Sequence, residues 1–166
     1  MLNSPKRKRN RLQEYDYSNS GFYFITICIR NRNNFFCSIK NGNNILNDFG
    51  KIVEKRWKDL PSHYKNCELD FFIIMPDHIH GIVMVNNSLD TESKNHSLSE
   101  IIRGFKTFSS KEINQVTRNE AKFQWQKSFY DRIIRNEKEL YEIRKYIEQN
   151  PTKWDIEKNN PENLLM

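Results

Sequence analysis

"CELDFFIIMPDHIHGIVMVNN", residues 67–87, decides how the chain is read. Aromatic and β-branched residues dominate both halves, and Pro76, which cannot donate into a ladder, interrupts them. The stretch predicts two strands, 68–75 and 79–86, about a tight break at Met75–Pro76–Asp77. Two of the chain's four histidines, His78 and His80, sit just after that break. Residues two apart on a strand share a face, so the rings project together from Cα atoms ~6.5–7 Å apart. That spacing lets both converge on one ion through bonds of about 2.0–2.2 Å. Ile79 turns to the other face, and Gly81 leaves room for something to approach the backbone. Burying two unpaired imidazoles is costly, which favours a metal over a pair satisfied by ordinary hydrogen bonds. Two rings alone make a loose site, so a third ligand must come from elsewhere.

Working outward, "GFYFITICIR" (21–30) has the residues of a buried strand, and Asn41–Gly42 is a hairpin signal after a short strand. From Asn47 the period changes. Phe49, Ile52, Val53, Trp57 and Leu60 recur at three and four, an amphipathic helix that Pro61 is expected to stop. Ser97 and Glu100 form an S-x-x-E capping box ahead of Ile101, Ile102, Phe105 and Phe108, predicting a helix over 97–116. Arg103, Lys106, Ser109, Ser110 and Lys111 fall away from its apolar side, where they suit phosphate contacts or plain solvation. "FYDRIIR" (129–135) reads as a last strand. A final helix then starts near Asn136 and Glu139 and is expected to end at Asn150–Pro151. The order predicts an α+β fold, a ferredoxin-like or RRM-like antiparallel sheet (βαββαβ) with an added C-terminal helix. Its expected divisions are a basic arm at 1–20, a single domain at 21–154 and a polar tail at 155–166.

The 166 residues suit one domain with its own core. Lys and Arg outnumber Asp and Glu by 27 to 21, a formal charge of +6 that favours a polyanionic partner, nucleic acid first. Lys6, Arg7, Lys8, Arg9 and Arg11 crowd the arm, which is either a solvated tail or a segment that lies on a phosphate backbone. Cys28, Cys37 and Cys67, odd in number and set among apolar residues, read as reduced thiols in a cytoplasmic protein. No leader-like segment and no apolar run of ~18 residues points to secretion or a membrane span.

The last helix carries a second constellation, "KYIEQNP". At ~100° per residue, Leu140, Ile143 and Ile147 form an apolar stripe. Tyr146 and Asn150, four apart, neighbour each other on its shoulder, while Tyr141 falls nearly opposite, in solvent. A hydroxyl and an amide oxygen placed there could meet the histidine face of the sheet. Equally, a tyrosine beside a stripe can be core with its hydroxyl in water, and an asparagine before proline can simply end a helix.

Taken in order, "YFITICIRNR", "MPDHIHGIV", "SLSEIIRGFKTFSSKEIN" and "WQKSFYDRIIRNEKEL" leading into "YIEQNP" resemble the HUH single-tyrosine transposases, in their REP-associated tyrosine transposase branch. The resemblance spans residues 10 to 154. It implies His78 and His80 as metal ligands, Asn150 as the third ligand and Tyr146 as the nucleophile. It implies a divalent metal, Mg²⁺ or Mn²⁺, which an imidazole and amide set suits. It also implies a transposase that binds hairpin-forming single-stranded DNA and cleaves and rejoins it through a 5′-phosphotyrosine, as a monomer or homodimer associated with the nucleoid. Lys6, Arg7, Lys8, Arg9, Arg11, Arg103 and Lys106 would contact the DNA. The rival expectations are a non-catalytic nucleic-acid binder on an RRM-like sheet and a metal phosphodiesterase that uses water.

Overall fold

The computed structural model describes residues 20–87, 94–117 and 122–159. Its main sheet has four strands: β1 (Gly21–Cys28), β4 (Cys67–Ile74), β5 (His78–Val85) and β6 (Tyr130–Ile134). They lie in the order β4-β5-β1-β6, every neighbouring pair antiparallel. A separate two-stranded hairpin, β2 (Cys37–Lys40) and β3 (Asn43–Leu46), follows β1. Helices α1 (Asp48–Lys58) and α2 (Leu60–His63) lead into β4, and α3 (Leu98–Val116) joins β5 to β6. Helix α4 (Glu137–Asn159) is the last element among the described residues. The passage from β1 to β4 steps over β5, and that from β5 to β6 steps over β1. This is the expected ferredoxin-like α+β sheet, with α4 added.

Alternation along the strands divides the molecule into two apolar layers. Tyr23, Ile25, Ile27, Ile79, Val83 and Val85 face α1 and α3, where Val53, Trp57, Ile101 and Phe105 complete the larger core. The opposite face carries Ile82 and Ile134, covered by Ile143 and Ile147 of α4, with Phe22, Phe24, Ile73 and Leu140 around them. The stripe read from the last helix is therefore what seats it. An ion pair fixes its direction: Arg144 reaches Asp70 of β4 through Nε at 2.8 Å and Nη2 at 2.6 Å.

Local signals explain most of the element ends. Asn47 caps α1 by accepting from the Gly50 N–H, and the Ser97–Glu100 capping box is complete at α3. Asn136 accepts from the Glu139 N–H at the start of α4. At the hairpin turn Asn41 (φ 52°) and Gly42 (φ 71°) both take the left-handed conformation that a two-residue connection requires.

Four expectations are corrected. Helix α1 does stop ahead of Pro61, at Lys58, but helix resumes at Leu60, and Pro61 sits in the first turn of α2, where no N–H is needed. Pro151 lies inside α4, which runs on to Asn159, past the expected helix end. Phe108 is half exposed, whereas Ser109, assigned to the polar side of α3, is fully buried. Its hydroxyl donates to the Phe105 carbonyl and accepts from Trp125 Nε1 at 2.9 Å. Gly81 makes room for the fold itself, not for a ligand: a Cβ there would stand 2.4 Å from Trp57 Cζ2. The three cysteines are free and buried. Among the described residues no helix is long and apolar enough to cross a membrane.

Candidate active site

The histidine pair lies on the α4 face of the sheet, because the register alternates from Ile79 and Gly81, which face the other core. His80 pairs with Thr26 of β1 and His78 with Cys28. The two imidazoles are nearly closed off from solvent, and their Nε2 atoms meet 3.0 Å apart. Each ring is held from behind. Thr26 Oγ1 stands 2.8 Å from His80 Nδ1, and Asp77 Oδ1 stands 2.5 Å from His78 Nδ1. A carboxylate only accepts, so Asp77 keeps the proton on His78 Nδ1 and turns the lone pair onto Nε2. The other Asp77 oxygen pairs with Arg32 Nε at 3.0 Å.

Arg32 takes a left-handed backbone, φ 53°, which a non-glycine residue adopts at a cost. Its side chain also donates from Nη1 to Cys28 Sγ at 2.7 Å. Electrostatics follow from this packing. Burial pushes the His80 imidazole down to about 3, and the His78 and Arg32 charges add to the shift. Burial alone would raise the Asp77 carboxyl; the hydrogen bond with His78 and the charges of His78 and Arg32 outweigh it and hold the group below the usual carboxylate range.

Helix α4 supplies the rest. The Tyr146 ring stands 5.5 Å from that of His80 and meets Phe24 edge-on at 5.9 Å. It is 41% exposed, so the residue borders solvent as well as His80. Lys153 Nζ lies 5.4 Å from the centre of the same ring. Tyr141 points away and is 67% exposed. Two turns beyond Tyr146, the Trp154 ring comes to 6.0 Å from that of His78. Asn150 occupies the turn between these two aromatic residues, with Nδ2 3.5 Å from the Tyr146 carbonyl.

Thus His80 meets both His78 and Tyr146 within one chain, and Asn150 lies one turn from Tyr146 on α4 with its amide near the carbonyl of its own helix. Among the described residues no group of three His, Cys, Asp or Glu side chains is arranged to hold a metal. Of the residues assigned to DNA, Lys6, Arg7, Lys8, Arg9 and Arg11 lie outside the described residues. Arg103 is exposed on α3. Lys106 is partly buried and donates to the Lys127 carbonyl at 3.0 Å, and burial lowers its ammonium below the ordinary lysine value. The reading of the sequence missed Thr26, Asp77, Arg32 and Trp154. Asp77 carried a signal, being a carboxylate next to a candidate ligand in the chain; the other three are joined to the site only by folding.

The antiparallel α+β sheet brings two imidazole Nε2 atoms together beside a phenol from α4, which defines a candidate active site. Comparison with known proteins narrows this. Residues 23–150 match the family described as "Transposase IS200 like", and the chain belongs to that family. A Haemophilus influenzae protein without an assigned function is 33% identical over 165 residues, covering 90% of each chain. A second protein from that organism, whose name assigns it provisionally to the REP-associated tyrosine transposases, is 27% identical over 142 residues, covering 83% of this chain and 74% of its own. The structure of a REP-associated tyrosine transposase bound to a REP hairpin superposes with a TM-score of 0.61 at 21% identity, over 86% of this chain and 74% of the other. A transposase candidate from Deinococcus radiodurans gives 0.51 at 15% identity, over 83% and 95%. These last two likenesses bear on the fold.

Proposed function

We propose that this transposase cuts and rejoins single-stranded DNA beside a hairpin, with Tyr146 as the nucleophile. The observation that carries the reading is the convergence of His78 Nε2 and His80 Nε2, 3.0 Å apart, with the Tyr146 ring against His80 in the same chain.

The residues fit a divalent cation. The two Nε2 atoms lie 3.0 Å apart, a separation that one ion bonded to both through bonds of about 2.0–2.2 Å would span. Both Nδ1 atoms are engaged elsewhere, as metal-binding imidazoles require. His78 and His80 would hold Mg²⁺ or Mn²⁺ through Nε2, and Asn150 through its amide oxygen. Bound there, the ion supplies Lewis-acid stabilisation of charge on the phosphate.

The protein's own groups do the remainder. Tyr146 Oη attacks phosphorus, the bond to the 3′-oxygen breaks, and the phenolic proton ends, in net terms, on that oxygen. The products are a 5′-phosphotyrosine and a free 3′-hydroxyl. One phosphodiester replaces another, so a second 3′-hydroxyl can reverse the step and join a different strand. Lys153 places its cation over the ring where charge develops. Lys6, Arg7, Lys8, Arg9 and Arg11, with Arg103 and Lys106 on α3, would hold the hairpin's phosphates without reading its sequence. A site whose histidines and tyrosine come from one chain needs no second subunit.

The test is a denaturing gel of protein incubated with labelled, hairpin-bearing single strands and Mn²⁺. A DNA-shifted protein band is expected for the wild type and for Tyr141→Phe, and none for Tyr146→Phe or His78→Ala. Mixing those two inactive variants should not restore it. Free 5′-phosphate without a protein-linked strand would instead mean attack by water.

A further inference from the structure

We infer that the cavity between the β2–β3 hairpin and the C-terminal turns of α4 takes one unpaired nucleobase of the strand, stacked on Trp154. The inference rests on the strand-cutting reading above and adds a binding subsite to it. The cavity, open on one side, has a volume of about 500 Å³, within the range of small-ligand pockets and ample for one base. Trp154 forms one wall, Ile39, Leu46 and Pro76 give apolar surface, and Asn34 and Ser38 bring an amide and a hydroxyl to the lining. One aromatic face with an apolar bed and polar groups suits a planar base that must stack and also satisfy its edges.

Placement argues for DNA over an unrelated small molecule. Trp154 is shared between the cavity and the histidines, its ring 6.0 Å from that of His78. Pro76 connects the same wall to Asp77 and His78 in the chain. A strand whose phosphate lies at the imidazoles therefore has this cavity within reach of a neighbouring nucleotide.

The walls are also fixed to each other. The Gly42 N–H donates to Asp155 Oδ2 at 3.2 Å, and a Cβ on Gly42 would come within 2.9 Å of Thr152 Oγ1, so the hairpin turn rests closely on α4. Asn44 Nδ2 donates to the Ile74 carbonyl at 3.1 Å and ties the hairpin to the end of β4. A pocket held on both sides is formed before its ligand arrives, which lowers the cost of ordering on binding.

The experiment measures binding without cleavage, in the Tyr146→Phe protein with no metal added. The probes are a twelve-nucleotide thymidine strand and an abasic strand of equal length and charge. Trp154→Ala should weaken the thymidine strand by about fivefold to a hundredfold, the span of one base–aromatic stack. It should leave the abasic strand unchanged, and Trp154→Phe should recover most of the loss. Thymidine binding that is equal in wild type and Trp154→Ala overturns the inference; so does equal weakening of both strands, or a Trp154→Phe protein, with its thermal unfolding intact, that binds as weakly as Trp154→Ala. Base-dependent binding through Trp154, together with a wild-type protein that forms no covalent adduct in the gel assay, would keep the subsite and sink the cutting reading. An adduct without that dependence would do the reverse.

Discussion

Asp77→Asn keeps the shape of the Arg32–Asp77–His78 chain while removing its negative charge. In the wild type, Asp77 accepts from His78 Nδ1 at 2.5 Å and pairs with Arg32 at 3.0 Å, fixing which nitrogen of His78 faces His80. Losing an outer partner of a metal-binding histidine typically costs 10–100-fold in metal affinity, or about 1.4–2.8 kcal/mol. The asparagine oxygen can still accept from Nδ1, which places Asp77→Asn near the tenfold end. Asp77→Ala strands a buried ring nitrogen, so it should approach 100-fold and cost about 1–3 kcal/mol of folding stability as well. Arg32, with 49% of its side chain exposed, can turn to water and adds little to that cost. The assay is a Mn²⁺ titration followed by paramagnetic resonance of the free ion, with thermal unfolding of each protein beside it. A purely structural Asp77 would change stability and leave Mn²⁺ affinity alone. Wild-type Mn²⁺ affinity in Asp77→Ala would refute the reasoning.

Thr26→Val preserves volume but removes the partner of His80 Nδ1, so the same titration should show about tenfold weaker Mn²⁺ binding. Gly81→Ala drives a methyl against Trp57 in a filled core and should cost about 1–3 kcal/mol by denaturant unfolding; an unchanged midpoint would mean that the indole moves freely. Asp70 is held below the usual carboxylate range, first by its hydrogen bond from Arg144 and also by the Phe71 N–H and the Arg144 charge, against an opposing effect of burial. A depressed carboxyl contributes stability that is present above its unfolded value and lost as pH falls through the folded one. Asp70→Asn should therefore destabilise at pH 7, by about 1 kcal/mol or less for this partly exposed pair, and its deficit should close below about pH 4. A pH-independent deficit would show that the ion pair is not its source.

What local chemistry decides was readable in advance. Alternation placed His78 and His80 on one face, the stripe of Leu140, Ile143 and Ile147 identified the buried side of α4, and the Ser97–Glu100 box marked the start of α3. What tertiary contact decides was not. Pro151 disfavours helix in isolation, yet α4 passes through it, with Pro151 itself buried and Trp154 and Asp155 engaged beyond it. Stopping the helix there hid the Trp154 side of the site. Thr26 sits 54 residues from His80, and only the β1–β5 register joins them. Ser109 has the polarity of a surface residue, and its burial depends on Trp125, which arrives from another segment.

The most direct test is to digest the protein–DNA adduct with protease and nuclease and to sequence the nucleotide-bearing peptide by mass spectrometry. The account predicts the phosphate on Tyr146, within the helix that faces His80. Attachment at Tyr141, Tyr130 or any other side chain would contradict it.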